Sequence, residues 1–133
     1  MATIKCTVVT PEETALEEEV SFVVVPMADG ELGVASGHSP MIGRLGYGEL
    51  RLKSSDGDVS RYYVDGGFVQ IADNAISVLT GRLLKVDQID VDAVKTQLSD
   101  ALRRPINSDE LLELRDKAIA QGNAQLQVAR RGK

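Results

Sequence analysis

Hydrophobic and polar residues alternate over short stretches through the first two thirds of the chain, and this alternation predicts β-strands. Turn-forming segments separate the stretches, among them Ala28-Asp29-Gly30, Asp65-Gly66-Gly67 and Asp73-Asn74. The β-branched run Val20–Met27 predicts a strand buried on both faces. Ten short strands at this spacing predict a sandwich or barrel of antiparallel strands, and we take the sandwich as the expected fold: residues 4–10, 14–18, 20–27, 32–35, 41–45, 49–53, 59–64, 68–72, 75–79 and 82–84.

The hydrophobic period changes to that of a helix after Val86. Asp87 is predicted to cap a first helix, and Pro105 is predicted to end it. Asn107 with Glu110 resembles a capping box and predicts a second helix from about residue 108. Two amphipathic helices with a short connection predict an antiparallel hairpin. We therefore expect a β-sandwich domain at residues 1–86 and a two-helix hairpin at residues 87–133.

Leucine and isoleucine residues mark the predicted contact face of the second helix. Leu112, Ile119 and Leu126 are spaced by seven, and the small residues Ala118 and Gly122 accompany them. This spacing places the large side chains on one face of a helix. Small residues beside them permit a close approach of the two helices.

Charge and composition narrow the function. The chain has 133 residues, of which 43% are hydrophobic, so it has enough apolar material for a packed core. Its net charge of −5 argues against nucleic-acid binding, which relies on basic residues that neutralise phosphates. The lone Cys6 lies in the first apolar alternation, where we expect a buried, unreactive thiol. The longest apolar run, Phe22–Val25, is far short of the ~20 residues that span a bilayer, so no direct membrane insertion is expected.

Catalytic and metal-binding patterns are missing from the sequence. With one His and one Cys, a zinc site would need carboxylates for nearly all of its ligands. There is no phosphate-binding glycine loop and no nucleophile elbow. His38 lies in the predicted turn Gly37–Pro40, where we interpret it as a turn or interface residue rather than a catalytic one. We expect a non-catalytic protein without a cofactor or metal.

Four segments in order resemble the epsilon subunit family of F-type ATP synthases, called delta in mitochondria. Gly30–Ile42, read as GELGVASGHSPMI, is similar to the family's GELGI-x-x-GHAPL signature. Gly48–Leu52, Tyr63–Gln70 and Asn74–Leu79 match further family motifs with the same gaps. The resemblance covers residues 3 to about 84 closely and the rest by architecture. Glycines beside strands in these motifs, Gly33 and Gly67, are expected to be structural.

The resemblance implies a rotor subunit of the central stalk. Its sandwich would bind the gamma subunit and sit on the ring of c subunits, on the cytoplasmic or stromal face of an energy-transducing membrane. Glu31 would lie in a loop that faces the c ring. His38, Met41 and Ile42 would lie toward gamma and the ring.

The resemblance also implies two positions for the hairpin. It would fold against the sandwich, or extend along gamma and obstruct ATP hydrolysis. In the extended state four basic residues would meet acidic segments of the catalytic alpha and beta subunits: Arg103, Arg104, Arg115 and Lys117. An ordinary solvated helix face explains these residues equally well.

Two departures from the family pattern affect these expectations. Some members bind ATP through an I/L-D-x-x-R-A motif, of which Ile89 and Asp90 are present here. Ala93 stands where the arginine would be, so we expect no ATP binding. Thr80-Gly81-Arg82 replaces a family motif after the last long strand and leaves the expected fold unchanged.

A second interpretation fits the size and composition of the chain. It is a free-standing β-sandwich that binds a ligand and dimerises through its helical tail. A small enzyme on a β-barrel is a third, disfavoured by the missing catalytic residues.

Overall fold

The computed structural model describes residues 2–131, which form eight strands, a 3₁₀ turn and two helices. The strands come first and the helices follow, as predicted. The strands are β1 (Ile4–Val9), β2 (Thr14–Val20), β3 (Phe22–Met27), β4 (Gly30–Ala35), β5 (Met41–Lys53), β6 (Val59–Ala72), β7 (Ala75–Thr80) and β8 (Leu83–Lys85). The 3₁₀ turn at Val86–Gln88 leads into α1 (Val91–Leu102) and α2 (Asp109–Arg131).

The strands lie in one sheet that folds over into two facing layers. Their order is β2-β1-β7-β6-β5-β3-β4, and β8 pairs with β6. Val20 and Val34, which lie at opposite ends of this order, contribute to the same buried core. The predicted sandwich is therefore confirmed, with one correction. β1 and β7 pair in parallel, since β7 returns to the neighbourhood of β1 after five intervening strands.

The structure has eight strands rather than the predicted ten, because two of its strands are long. β5 and β6 each join two predicted strands, and Asp65-Gly66-Gly67 lies inside β6 rather than in a turn. Gly66 and Gly67 have φ angles of 76° and 122°, which glycine adopts without strain. On either side of these glycines β6 pairs with different neighbours, β8 before them and β7 after them. The glycines thus bend one strand so that it serves both neighbours.

The buried core is formed by every second residue of the strands, the residues whose side chains point inward. Val23 and Val25 of β3 are fully buried, whereas Phe22 is 39% exposed. The prediction that β3 is buried on both faces is therefore wrong. Cys6 is fully buried in the same core, as predicted, and burial raises the pKa of its thiol to about 12.

The helices form the predicted antiparallel hairpin, and their N-caps differ from the prediction. Asp90, not Asp87, caps α1 by accepting a hydrogen bond from the backbone N–H of Ala93 at 3.1 Å. Ser108, not Asn107, caps α2 through its hydroxyl. A Cβ atom on Gly122 would lie 2.7 Å from a methyl carbon of Leu98, so this glycine permits the close helix contact.

Candidate functional site

An apolar contact holds the hairpin against the sandwich. Tyr63 projects from the outer face of β6, because its neighbours Tyr62 and Val64 belong to the core. Its side chain is nevertheless fully buried, since the hairpin covers it. The residues buried around it come from the start of the hairpin and the end of α2: Ile89, Val94, Val128 and Ala129.

A polar contact crosses the same boundary at Asp65. Its carboxylate accepts hydrogen bonds from the Tyr63 hydroxyl at 2.5 Å and from Nε2 of Gln121 at 3.0 and 3.1 Å. Burial and then the bond to Asp65 raise the pKa of Tyr63, so its phenol remains a neutral donor. The hydrophobic pattern did not mark this contact: Asp65 was predicted to lie in a turn, and no role was predicted for Gln121.

Acidic and basic side chains alternate across the outer face of β4, β5 and β6. Nη1 of Arg51 donates to Glu31 and to Glu49, each at 2.9 Å. Nη2 of Arg61 donates to the other oxygen of Glu49, whose side chain is 2% exposed. Buried carboxylates are rare without such partners. Nothing in the hydrophobic pattern marks Glu49 as buried.

Glu31 differs from its predicted setting. It is the second residue of β4, directly after the turn, rather than a free loop tip. Its side chain is 47% exposed and is held by Arg51. The Glu31 carboxylate is therefore paired with a guanidinium and still partly exposed to solvent.

The other three predicted interface residues lie in and beside the following turn. The backbone N–H of His38 donates to the carbonyl of Ala35 at 3.2 Å, and its ring Nδ1 lies 2.8 Å from the carbonyl oxygen of Ser39. These local bonds fit the interpretation of a turn histidine. Met41 is half-buried against the core, and Ile42 is 74% exposed.

Ile42 belongs to an exposed apolar surface that we call the outer patch, formed with Phe68 and Leu79. Phe68 and Leu79 are paired neighbours on β6 and β7, and are 56% and 47% exposed. Ile42 and Phe68 point to the same side of β5 and β6 because Arg44, two residues after Ile42, pairs with Phe68. In the sequence, Phe68 and Leu79 are recognisable as large apolar residues at positions of the alternation that face solvent.

The predicted regulatory residues lie on the half of the hairpin away from its contact with the sandwich. Arg103 and Arg104 are exposed at the turn between the helices, and Lys117 is exposed on α2. Arg115 is half-buried, with one guanidinium nitrogen 3.7 Å from Asp116. The structure therefore does not gather the four into one cluster with Glu31 or His38.

Large apolar residues accompany these basic residues without being covered. Leu112 was predicted to face the first helix, but it is 37% exposed. The buried face of α2 instead runs along Gly122, Gln125 and Val128. Five exposed residues form the apolar end of the hairpin, which we call the distal end: Leu102, Ile106, Leu111, Leu112 and Leu114.

The remnant of the ATP motif has structural roles. Ile89 is buried under the hairpin, and Asp90 caps α1. Ala93 is exposed and offers no cation. Within residues 2–131 no three His, Cys, Asp or Glu side chains are grouped as metal ligands. In the same part of the chain, neither helix has the length and apolar character needed to cross a membrane.

The fold and its surfaces define a two-part protein, a β-sandwich with a docked helical hairpin, whose exposed apolar surfaces suit contact with other proteins. The sequence model of the family described as "ATP synthase, Delta/Epsilon chain, beta-sandwich domain" matches residues 3–86. An ATP synthase epsilon chain of Rhodopirellula baltica is 49% identical over 127 residues, covering 96% of this chain and 98% of that one. The chain belongs to this family of ATP synthase subunits, as the sequence motifs indicated.

A further relative is similar in sequence, and two solved structures are similar in fold. A sodium-ion-specific ATP synthase epsilon chain of Propionigenium modestum is 33% identical and covers 97% of this chain and 90% of that one. A chain in the mitochondrial ATP synthase of Euglena gracilis superposes with a TM-score of 0.85 at 23% identity, covering 97% of this chain and 82% of that one. A chain in the central stalk and c-ring structure of Tetrahymena thermophila gives 0.66 at 16% identity, over 94% and 95%. The family assignment decides against a free-standing ligand-binding domain.

Proposed function

We propose that the chain is a non-catalytic rotor subunit in the central stalk of a proton-translocating ATP synthase. In this proposal the sandwich joins the gamma subunit to the ring of c subunits, and the hairpin regulates ATP hydrolysis. The complex would hold the chain at the cytoplasmic or stromal face of the membrane. Membership in the epsilon family supports the place in the complex, and the surfaces described above support the division of roles.

The outer patch is the proposed contact with gamma. Ile42, Phe68 and Leu79 are large apolar side chains that share one face and remain exposed. Adjacent exposed apolar residues are typical of surfaces that other proteins cover. Glu31 and Met41 line one surface pocket, and His38 lies in the turn that leads into Met41; we assign these residues to the c ring.

The hairpin contact carries the regulatory part of the proposal. Beneath the hairpin, the fully buried Tyr63 and the carboxylate of Asp65 contact it from β6, and Tyr47 and Leu84 pack against the same apolar cluster. The distal end meanwhile keeps its leucines exposed. A contact of this size is consistent with a two-state element, docked in one state and extended in the other.

Deletion of residues 88–133 tests this function. In a reconstituted complex with gamma and the catalytic subunits, the deletion should raise ATP hydrolysis while assembly stays intact. Assembly is measured by co-purification, and hydrolysis by phosphate release. Unchanged hydrolysis would leave the hairpin as a passive tail, and lost assembly would place partner binding in the helices.

The basic residues of the hairpin are the proposed contacts with the catalytic alpha and beta subunits. Reversing Arg103 and Arg104 to Glu should relieve inhibition, because a basic helix end would no longer meet acidic segments. Arg103→Glu alone is compared with Arg82→Glu, which reverses one exposed charge on the sandwich. If Arg82→Glu has the same effect on hydrolysis, the basic residues belong to an ordinary solvated surface.

A further inference from the structure

The last turn of α2 is hydrogen-bonded to a charged residue of the sandwich. Nη1 of Arg61 donates to the backbone carbonyl oxygen of Arg131 at 2.6 Å. The final four carbonyls of a helix have no partner within the helix and carry partial negative charge. Arg61, 70 residues earlier on β6, therefore caps α2 from the other part of the protein.

The position of the Arg61 guanidinium is fixed by its ion pair with Glu49. The Glu49 side chain is 2% exposed, and its two oxygens bind Arg51 and Arg61 separately. A guanidinium offers several donors in a rigid fork, so one nitrogen of Arg61 binds Glu49 while the other remains aimed at α2. The side chain of Arg61 is itself 25% exposed, so its flexible stem would sample other directions without this anchor.

The place of this contact gives it a role in hairpin release. α1 is joined to β8 through the 3₁₀ turn at Val86–Gln88, so its start cannot leave the sandwich. The last turn of α2 meets the sandwich through non-covalent contacts, and Val128 and Ala129 are buried there. Release of the hairpin must break contacts at this turn.

We propose that Arg61 is a latch that holds the C-terminal turn of α2 on the sandwich, with Glu49 as its positioning residue. Removing the latch shifts the hairpin toward the released state without altering the core of the sandwich. The proposal deepens the regulatory role of the hairpin, and its consequence for hydrolysis rests on the proposed function. Docking itself is measured on the isolated chain, so the two proposals fail independently.

Amide hydrogen exchange by mass spectrometry on the full chain tests the latch. Loss of one charge-assisted hydrogen bond in Arg61→Gln should speed exchange in the last three turns of α2 by about tenfold. Exchange in β1 and β7 should stay unchanged. Glu49→Gln should act in the same direction, and the double variant should exceed neither single variant by much, because both act on one contact. Arg61→Lys keeps the charge without the fork and should restore part of the protection.

Lys53→Gln provides the matched control, since it removes one exposed positive charge from β5. If Arg61→Gln exchanges like Lys53→Gln, the latch is refuted. If Glu49→Gln leaves α2 protected while Arg61→Gln exposes it, the positioning role is refuted and the latch stands. Should Glu49→Gln unfold the sandwich, seen as lost protection in β1, the comparison of Arg61→Gln with Arg61→Lys still decides the latch.

Discussion

Alanine at Gly67 should destabilise the protein far more than alanine at Gly33, although both glycines lie in family motifs. The two sites differ in what an added methyl group would meet. At Gly67 the Cβ would lie 1.8 Å from the carbonyl oxygen of Leu79 on the paired strand, and φ is 122°. At Gly33 it would lie 2.6 Å from the end of the Phe22 ring. The Leu79 backbone cannot move aside at Gly67, whereas the partly exposed Phe22 ring can rotate away from an added methyl group at Gly33.

The magnitudes separate the two variants. The unfavourable φ at Gly67 costs about 1–3 kcal/mol for a residue with a side chain. Forcing β6 and β7 apart breaks backbone hydrogen bonds between them. Each backbone group left without a partner costs about 1–3 kcal/mol. A loss of about 4 kcal/mol is therefore expected. At Gly33 the gain in strand propensity of roughly 0.5–1 kcal/mol offsets most of the cost of moving Phe22.

Urea denaturation followed by circular dichroism measures this difference. With a slope of about 1–3 kcal/mol per molar urea, Gly67→Ala should lower the midpoint by about 2 M relative to Gly33→Ala. Partner affinity at equal folded fraction should be the same for both. If the two variants unfold within about 1 kcal/mol of each other, the close backbone approach at Gly67 is not what requires glycine. If a stable Gly67→Ala loses gamma binding, the residue is functional rather than structural.

Truncation, alkaline pH, charge reversal at Glu31 and added MgATP each test a different part of the structure. Residues 1–86 should keep a cooperative thermal transition in calorimetry, because the main core lies within the sandwich; a molten product would contradict this. Unfolding free energy should fall as pH rises from about 9 to about 12, because the Cys6 thiol ionises near 9.0 once exposed and near 12 when buried; Cys6→Ala should remove the part of the fall that begins near pH 9.0, whereas Tyr63, whose pKa is also raised by burial, keeps a fall at higher pH. Glu31→Lys should weaken coupling of hydrolysis to proton pumping more at low salt than at high salt, and unchanged coupling would remove Glu31 from the interface. Calorimetry with MgATP should show no micromolar binding heat, since Ala93 lacks a cation and Asp90 is engaged as a cap.

Local sequence patterns were sufficient to locate most of the strands and both helices, and to identify the family. Alternation over β1 and β7, the helical period after Val86 and the stop before Pro105 all act within a few residues. Such patterns report which side of an element faces the core, and so they locate the elements well. The ordered motifs around Gly30–Ile42 then identified the family.

Tertiary structure decided what the glycines and the charged residues do. Asp65-Gly66-Gly67 has the composition of a turn, yet two different partner strands keep it inside β6. Glu49, Asp65 and Gln121 lie in solvent-facing phases of their elements and become buried or bonded because the hairpin and neighbouring arginines cover them. Contacts between residues 56 or 70 positions apart depend on how the two parts dock, and no local period encodes that docking. The sequence therefore determined the parts and their family, whereas the apolar and polar contacts between sandwich and hairpin were decided by how the two parts pack in three dimensions.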